Sequence, residues 1–124
     1  FQETVDQCLM RHRSVLDIMS KLTESASRVN RAVSKAVTAC GCIQVEADRQ
    51  KIPPEVESLE LMKTHMSTHL KGSLCDNCAE VLEDEIGRTL FYLAALCNLS
   101  DLRLHDVLVK ERERIDCLGR YNFT

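Results

Sequence analysis

The chain has 124 residues, 44% hydrophobic and 28% charged, and its 16 basic and 19 acidic side chains leave a net charge of −3. This is room for one domain with its own core, and the composition is that of a globular chain rather than a disordered one. No run of Lys and Arg gathers on any predicted element, so the footprint of a nucleic-acid binder is missing, and no apolar run reaches the roughly 18 residues of a membrane span.

The start, Phe1-Gln2-Glu3-Thr4, has neither the basic nor the apolar region of an export signal. From Val5 to Met19 the apolar positions Val5, Cys8, Leu9, Val15, Leu16 and Met19 repeat at helical spacing and predict a first helix. Leu22, Val29, Val33, Ala36, Val37 and Cys40 continue the pattern on a second, from Lys21 or Thr23 to about Ala39, with Gly41 as its stop. The two could also be one continuous helix. The segment Cys42 to Lys51 fits either a helical extension or a short extended piece. Pro53-Pro54 marks a linker, because neither proline continues a preceding helix.

Leu59, Met62 and Met66 predict a short third helix from Glu57 to Leu70, ending near Gly72. Ser73 followed by Asp76 fits a capping box for a fourth helix running to about Asn98, with an apolar face of Val81, Leu82, Ile86, Leu90, Leu93, Ala94 and Cys97. Asp101 is positioned to cap a fifth helix carrying Leu104, Val107, Leu108, Ile115 and Leu118 before Gly119, and the last five residues read as a tail. No segment alternates convincingly, so a sheet is not expected. The fold class is all-α: a single domain over residues 1–124, a bundle of four to five helices.

Seven cysteines are many for this length. In a secreted chain they would imply disulfides with one thiol left over, but a chain that can build a helical core does not need several staples. They read instead as metal ligands in a reducing, cytoplasmic setting. Cys40-Gly41-Cys42 and Cys75-Asp76-Asn77-Cys78 form two clips able to give four thiolates to one ion. Cys75 and Cys78 share a face at a helix start, where free amides and the helix dipole favour thiolate. Cys40 and Cys42 would point about 200° apart on a continuous helix, so sharing an ion requires the chain to leave helical geometry at Gly41.

Zinc is the expected occupant, being the commonest in a four-thiolate site, with an iron–sulfur cluster as the alternative. The competing readings are buried apolar cysteines, two disulfides, or a redox dithiol at Cys75 and Cys78. His65 and His69, four apart on the predicted third helix, could join the ligand set or be a surface pair. Cys8, Cys97 and Cys117 are expected to pack on apolar faces, and His12 and His105 stand alone.

The stretch Glu83 to Asn98, EDEIGRTLFYLAALCN, followed by Leu102 to Leu108, is similar to the second half of a MazG-type domain. Lys21 to Val33, KLTESASRVNRAV, resembles the first metal-binding helix of that family. The resemblance covers about half the chain. It implies an all-α nucleoside triphosphate pyrophosphohydrolase fold completed by dimer or tetramer formation, with magnesium held by E-E-x-x-E on one helix and E-x-x-D on the next. Position by position, Glu24 matches the first glutamate, Ser25 and Arg28 replace the other two, Glu85 is retained, and Arg88 stands at the aspartate. Guanidinium groups repel a divalent ion, so magnesium is not expected, and Glu24 and Glu85 are expected to pair with Arg28 and Arg88. Otherwise these are four solvated charges that never meet.

The stretch between the two motifs is longer than in the family and holds both clips, which reads as an insertion over about residues 40–78. Three functions follow: a catalytically inactive or altered MazG-like protein with a structural metal site, binding a nucleotide, phosphate or protein; a pyrophosphohydrolase using a rearranged set from Glu57, Glu60, Glu83, Asp84 and Glu85; or a thiol redox or metal-sensing protein. The expected assembly is a homodimer or larger homo-oligomer.

Overall fold

The computed structural model describes residues 1–119, and the tail expected over the last five residues lies outside them. The chain is mostly helical: α1 (Gln2–Cys8), α2 (Val15–Lys35), a π-helical turn (Ala36–Cys40), β1 (Ile43–Val45), α3 (Leu59–His65), β2 (Leu70–Gly72), α4 (Asp76–Leu99) and α5 (Leu104–Leu118). None of the described helices is long and apolar enough to cross a membrane.

The first break falls earlier than expected. The segment expected as one helix over Val5–Met19 is cut between Cys8 and Val15, and α2 runs unbroken through the joint anticipated near Lys21. His12 adopts a left-handed φ of 57°, and the Ser14 hydroxyl accepts from the Leu16 amide to start α2. The apolar spacing of residues 5–9 and 15–19 is the same on either side, so periodicity alone cannot see the turn; the cap at Ser14 decides it.

The backbone of the design is α2 against α4, which run antiparallel. Ile18, wholly buried near the start of α2, meets Ala94 and Ala95 near the end of α4, while Arg28, farther along α2, meets Glu85. Alanines on α4 bring the helices close, and α1 closes the same cluster through Val5, with Leu9, Phe91, Leu96 and Leu104 packed around it.

The turn into α5 is capped from a distance. Asp101, expected as the cap, takes a left-handed φ of 55°, and Arg103 at the N-cap position supplies no side-chain bond. Gln2 of α1 does so instead: its Oε1 accepts from the Leu104 amide at 2.7 Å and its Nε2 donates to the Leu102 carbonyl at 2.7 Å. Cys97 is buried, as expected, whereas Cys8 and Cys117 are exposed.

A small antiparallel sheet is present where none was expected. Ile43 pairs with Gly72, Gln44 with Lys71 and Val45 with Leu70. Three-residue strands are too short to show alternation, which is why the sequence hides them. The sheet ends the third helix early: α3 stops at His65, and His69 lies outside it with φ 57°. His65 and His69 therefore do not share a helical face, and His69 turns its Nε2 toward Gln50, 3.4 Å away, and Asp48. Gln50 closes the long loop by accepting from the Ser67 amide and donating to its carbonyl, both at 2.8 Å.

Candidate metal centre

Four elements converge where α2 ends and α4 begins. The last turn of α2 widens into a π turn closed by the Gly41 amide donating to the Ala36 carbonyl at 2.8 Å, and Gly41 takes a left-handed φ of 81°. The chain thus leaves helical geometry at Gly41, which lets Cys40 and Cys42 face the same point. Ile43, buried beside them, starts β1.

The second clip arrives along β2. Gly72 has φ 87°, and a Cβ there would lie 2.5 Å from the Cys42 carbonyl oxygen, so only glycine lets β2 run this close to the first clip. Three residues later Cys75 caps α4: its Sγ accepts from the Cys78 amide at 3.4 Å. The expected capping box from Ser73 is replaced by a thiol cap, because the sulfur three residues before Cys78 reaches the same free amide that a serine oxygen would.

The result is one cluster. The Sγ atoms of Cys40, Cys42, Cys75 and Cys78 all lie within 4.8 Å of one another, and Cys40 and Cys75 are 3.8 Å apart. A tetrahedral ion bound to four sulfurs at about 2.3 Å sets them roughly 3.8 Å apart, whereas a disulfide requires about 2.05 Å. All seven cysteines are free thiols. Cys40 is exposed and the other three half-buried, so the site sits at the surface end of the helix pair. Among the described residues these four are the group of His, Cys, Asp and Glu whose ligating atoms converge as a metal site would need.

The four thiols are not electrostatically equivalent. The Cys78 amide, together with the Cys78 thiol, lowers the Cys75 thiol from its ordinary 9.0 to about 7. The Cys75 sulfur beside it, aided by burial, pushes Cys78 up to about 12. The cluster sheds its first proton readily and resists losing more until a positive ion enters. Four thiolates are soft donors, fitted to zinc or iron and poorly fitted to magnesium.

Farther along the helix pair, Glu85 is held from two sides. Arg28 Nε donates to its Oε2 at 3.1 Å and Arg28 Nη2 to its Oε1 at 3.3 Å, and Arg88 Nη1 reaches Oε1 at 3.5 Å. The expected pairing thus forms at Glu85 but not at Glu24, which pairs with Lys21 at 3.2 Å. Ser25 is buried and donates to the Leu22 carbonyl at 2.8 Å. Glu24, Ser27, Arg28, Arg31, Lys35 and Glu85 line a groove of about 530 Å³ beside this cluster.

Sequence reasoning found the four cysteines and the Arg28–Glu85 pair but missed the parts that position them. Gly72 and Ile43 carried no motif; the signal available was a glycine three residues before a cysteine clip. No family model, curated protein or solved structure matches this chain.

Proposed function

We propose that this is a MazG-like helical protein without magnesium chemistry, in which a zinc ion held by Cys40, Cys42, Cys75 and Cys78 fixes the spacing of α2 and α4. The convergence of four sulfurs within 4.8 Å supports the metal site in this reading, and the MazG-like part rests on the sequence resemblance alone. The sequence between the clips, with its β1–β2 sheet, is the insertion that builds the site. A zinc–thiolate centre of this kind suits a reducing compartment such as the cytoplasm.

On the family resemblance, the groove beside Glu85 would correspond to the site of a metal-bound triphosphate. Here guanidinium groups occupy the cation's place on the carboxylate, and Arg31 and Lys35 offer positive charge to a nucleotide or phosphate that is bound and not cleaved. A magnesium ion at this position would meet two fixed positive charges, and without it neither attacking water nor departing pyrophosphate is stabilised.

Two measurements on one preparation test this: metal content of protein purified without chelator, and magnesium-dependent pyrophosphate release from nucleoside triphosphates. The expected pair is one zinc per chain and no release. Turnover that falls on Glu85→Gln would overturn the inactive reading. Combining Ser25→Glu, Arg28→Glu and Arg88→Asp is expected to create magnesium affinity.

A thiol redox function is the second reading, supported by the lowered Cys75 thiol 3.8 Å from the exposed Cys40 sulfur. It predicts a reversible disulfide in metal-free protein and no bound zinc. No observation favours a rearranged carboxylate enzyme: Glu57, Glu60, Glu83 and Asp84 do not gather with Glu85 into a ligand group among the described residues.

A further inference from the structure

The groove beside Glu85 and the four cysteines are built on the same two helices. Its walls are Ser27, Arg28, Arg31 and Lys35 of α2 and Val81 and Glu85 of α4, around about 530 Å³, a volume within the range of small-molecule sites. Lys35 is the last residue of α2, directly before the π turn that ends in Cys40, and Val81 stands three residues after Cys78. Each wall therefore begins within about a turn and a half of the cysteine cluster.

Little else holds the walls together at this end. The hydrophobic cluster of Val5, Ile18, Ala94 and Ala95 lies at the opposite end of the helix pair. Past Arg28 on α2 and before Glu85 on α4 no residue is buried; Val29, Ala32, Ala79 and Leu82 are half-buried, and beyond them only Ala36 and Ile43 are buried beside the clips. A segment with so few buried apolar groups opens at a fraction of the global unfolding free energy, and the π turn is itself an uncommon, single-turn geometry. An ion that ties Cys40 and Cys42 to Cys75 and Cys78 removes that freedom.

The charges of the groove suit an anion. Arg28 is engaged by Glu85 and Glu24 by Lys21, whereas Arg31 and Lys35, four apart on one face of α2, have no ion-pair partner among the described residues. Two cations one turn apart can each take a separate phosphate group, so the fitting ligand carries two or more linked phosphates.

We propose that metal at Cys40, Cys42, Cys75 and Cys78 governs this groove, holding the α2 and α4 walls at the spacing that binds linked phosphates. The proposal rests on the zinc and anion readings above and adds the coupling between them. Without the ion the end of α2 and the start of α4 part, and the ligand must reassemble its own site, which lowers its apparent affinity. Linkage makes the effect reciprocal, so a bound anion tightens the hold on the metal by the same factor. One effect opposes it: four thiolates outweigh the charge of a divalent ion and repel an anion. Screening over about 8 Å at 0.15 M ionic strength limits that repulsion.

Calorimetric titration of inorganic pyrophosphate into the full chain at 0.15 M salt, metal-loaded and metal-free, tests the coupling, with metal content remeasured after each run to show that the anion has not extracted the ion. Binding about tenfold or more tighter to the loaded form is expected. On metal removal, hydrogen exchange is expected to rise over residues 29–40 and 76–84 and to stay slow around Ile18 and Ala94. Equal affinity in the two forms overturns the coupling and leaves the anion reading standing; no binding to either form overturns both, and a chain that takes up no zinc overturns the metal reading along with the coupling. Loss of all helical circular dichroism on metal removal also overturns it, because the ion then holds the whole fold and not the groove. Arg31→Ala with Lys35→Ala separates linkage from chelation by pyrophosphate itself: in chelator competition pyrophosphate is expected to raise metal retention in wild type relative to this variant by the same factor, and equal retention contradicts the coupling. A nucleoside diphosphate titrated alongside assigns the source of the phosphates: the same metal dependence with tighter binding than pyrophosphate supports a nucleotide, and with equal binding a free polyphosphate.

Discussion

Glu85 is 9% exposed and has both carboxylate oxygens on guanidinium groups, so its charge is satisfied while its partners stay half in water. Removing that charge leaves two arginines facing a neutral group. Glu85→Gln is expected to lower unfolding free energy by about 1–2 kcal/mol in urea titration. Glu24→Gln, at an exposed pair with Lys21, should stay within about 0.5 kcal/mol. The same contrast separates the cysteines. Because the Cys75 thiol is held down to about 7, metal-free protein should be alkylated first at Cys75, its rate rising through neutral pH and levelling above it. Cys78, pushed up to about 12, should lag, and bound metal should protect both. Peptide mapping of alkylation across pH distinguishes this order from four equivalent thiols. Gln2 closes the residue scale: Gln2→Ala frees the Leu104 amide and Leu102 carbonyl and should cost about 1 kcal/mol.

Among the elements, the long helices were legible because fifteen or more residues of apolar periodicity outweigh local ambiguity, as α4 and α5 illustrate. The short pieces were not. β1 and β2 hold three residues each and are specified by Gly72 meeting the Cys42 carbonyl, a long-range contact that leaves no local pattern. The caps failed for a related reason: Ser73 and Asp101 had the right chemistry, but Cys75 and Gln2 had the right position. Gly72→Ala should therefore act on the metal site and not on the helices. With left-handed φ and a 2.5 Å approach to backbone, the substitution is expected to weaken metal retention at least tenfold in chelator competition while helical circular dichroism persists. Ile18→Ala should do the reverse, costing about 2–4 kcal/mol in global stability while leaving the cysteines able to bind.

At the scale of the whole molecule, the two clips were readable in the sequence because paired cysteines carry their own spacing rule, whereas their meeting depended on how α2 and α4 pack and where β2 runs. The Arg28–Glu85 pair was anticipated only through the MazG resemblance, since 57 residues separate its partners. Metal at the end of the helix pair is proposed to fix its geometry, and X-ray absorption at the zinc edge on anaerobically purified protein tests this most directly. The predicted spectrum is one zinc per chain with a first shell of four sulfurs at about 2.3 Å, collapsing when Cys40 and Cys75 are changed to serine. A preparation essentially free of zinc and iron, or a first shell dominated by nitrogen and oxygen, would contradict it.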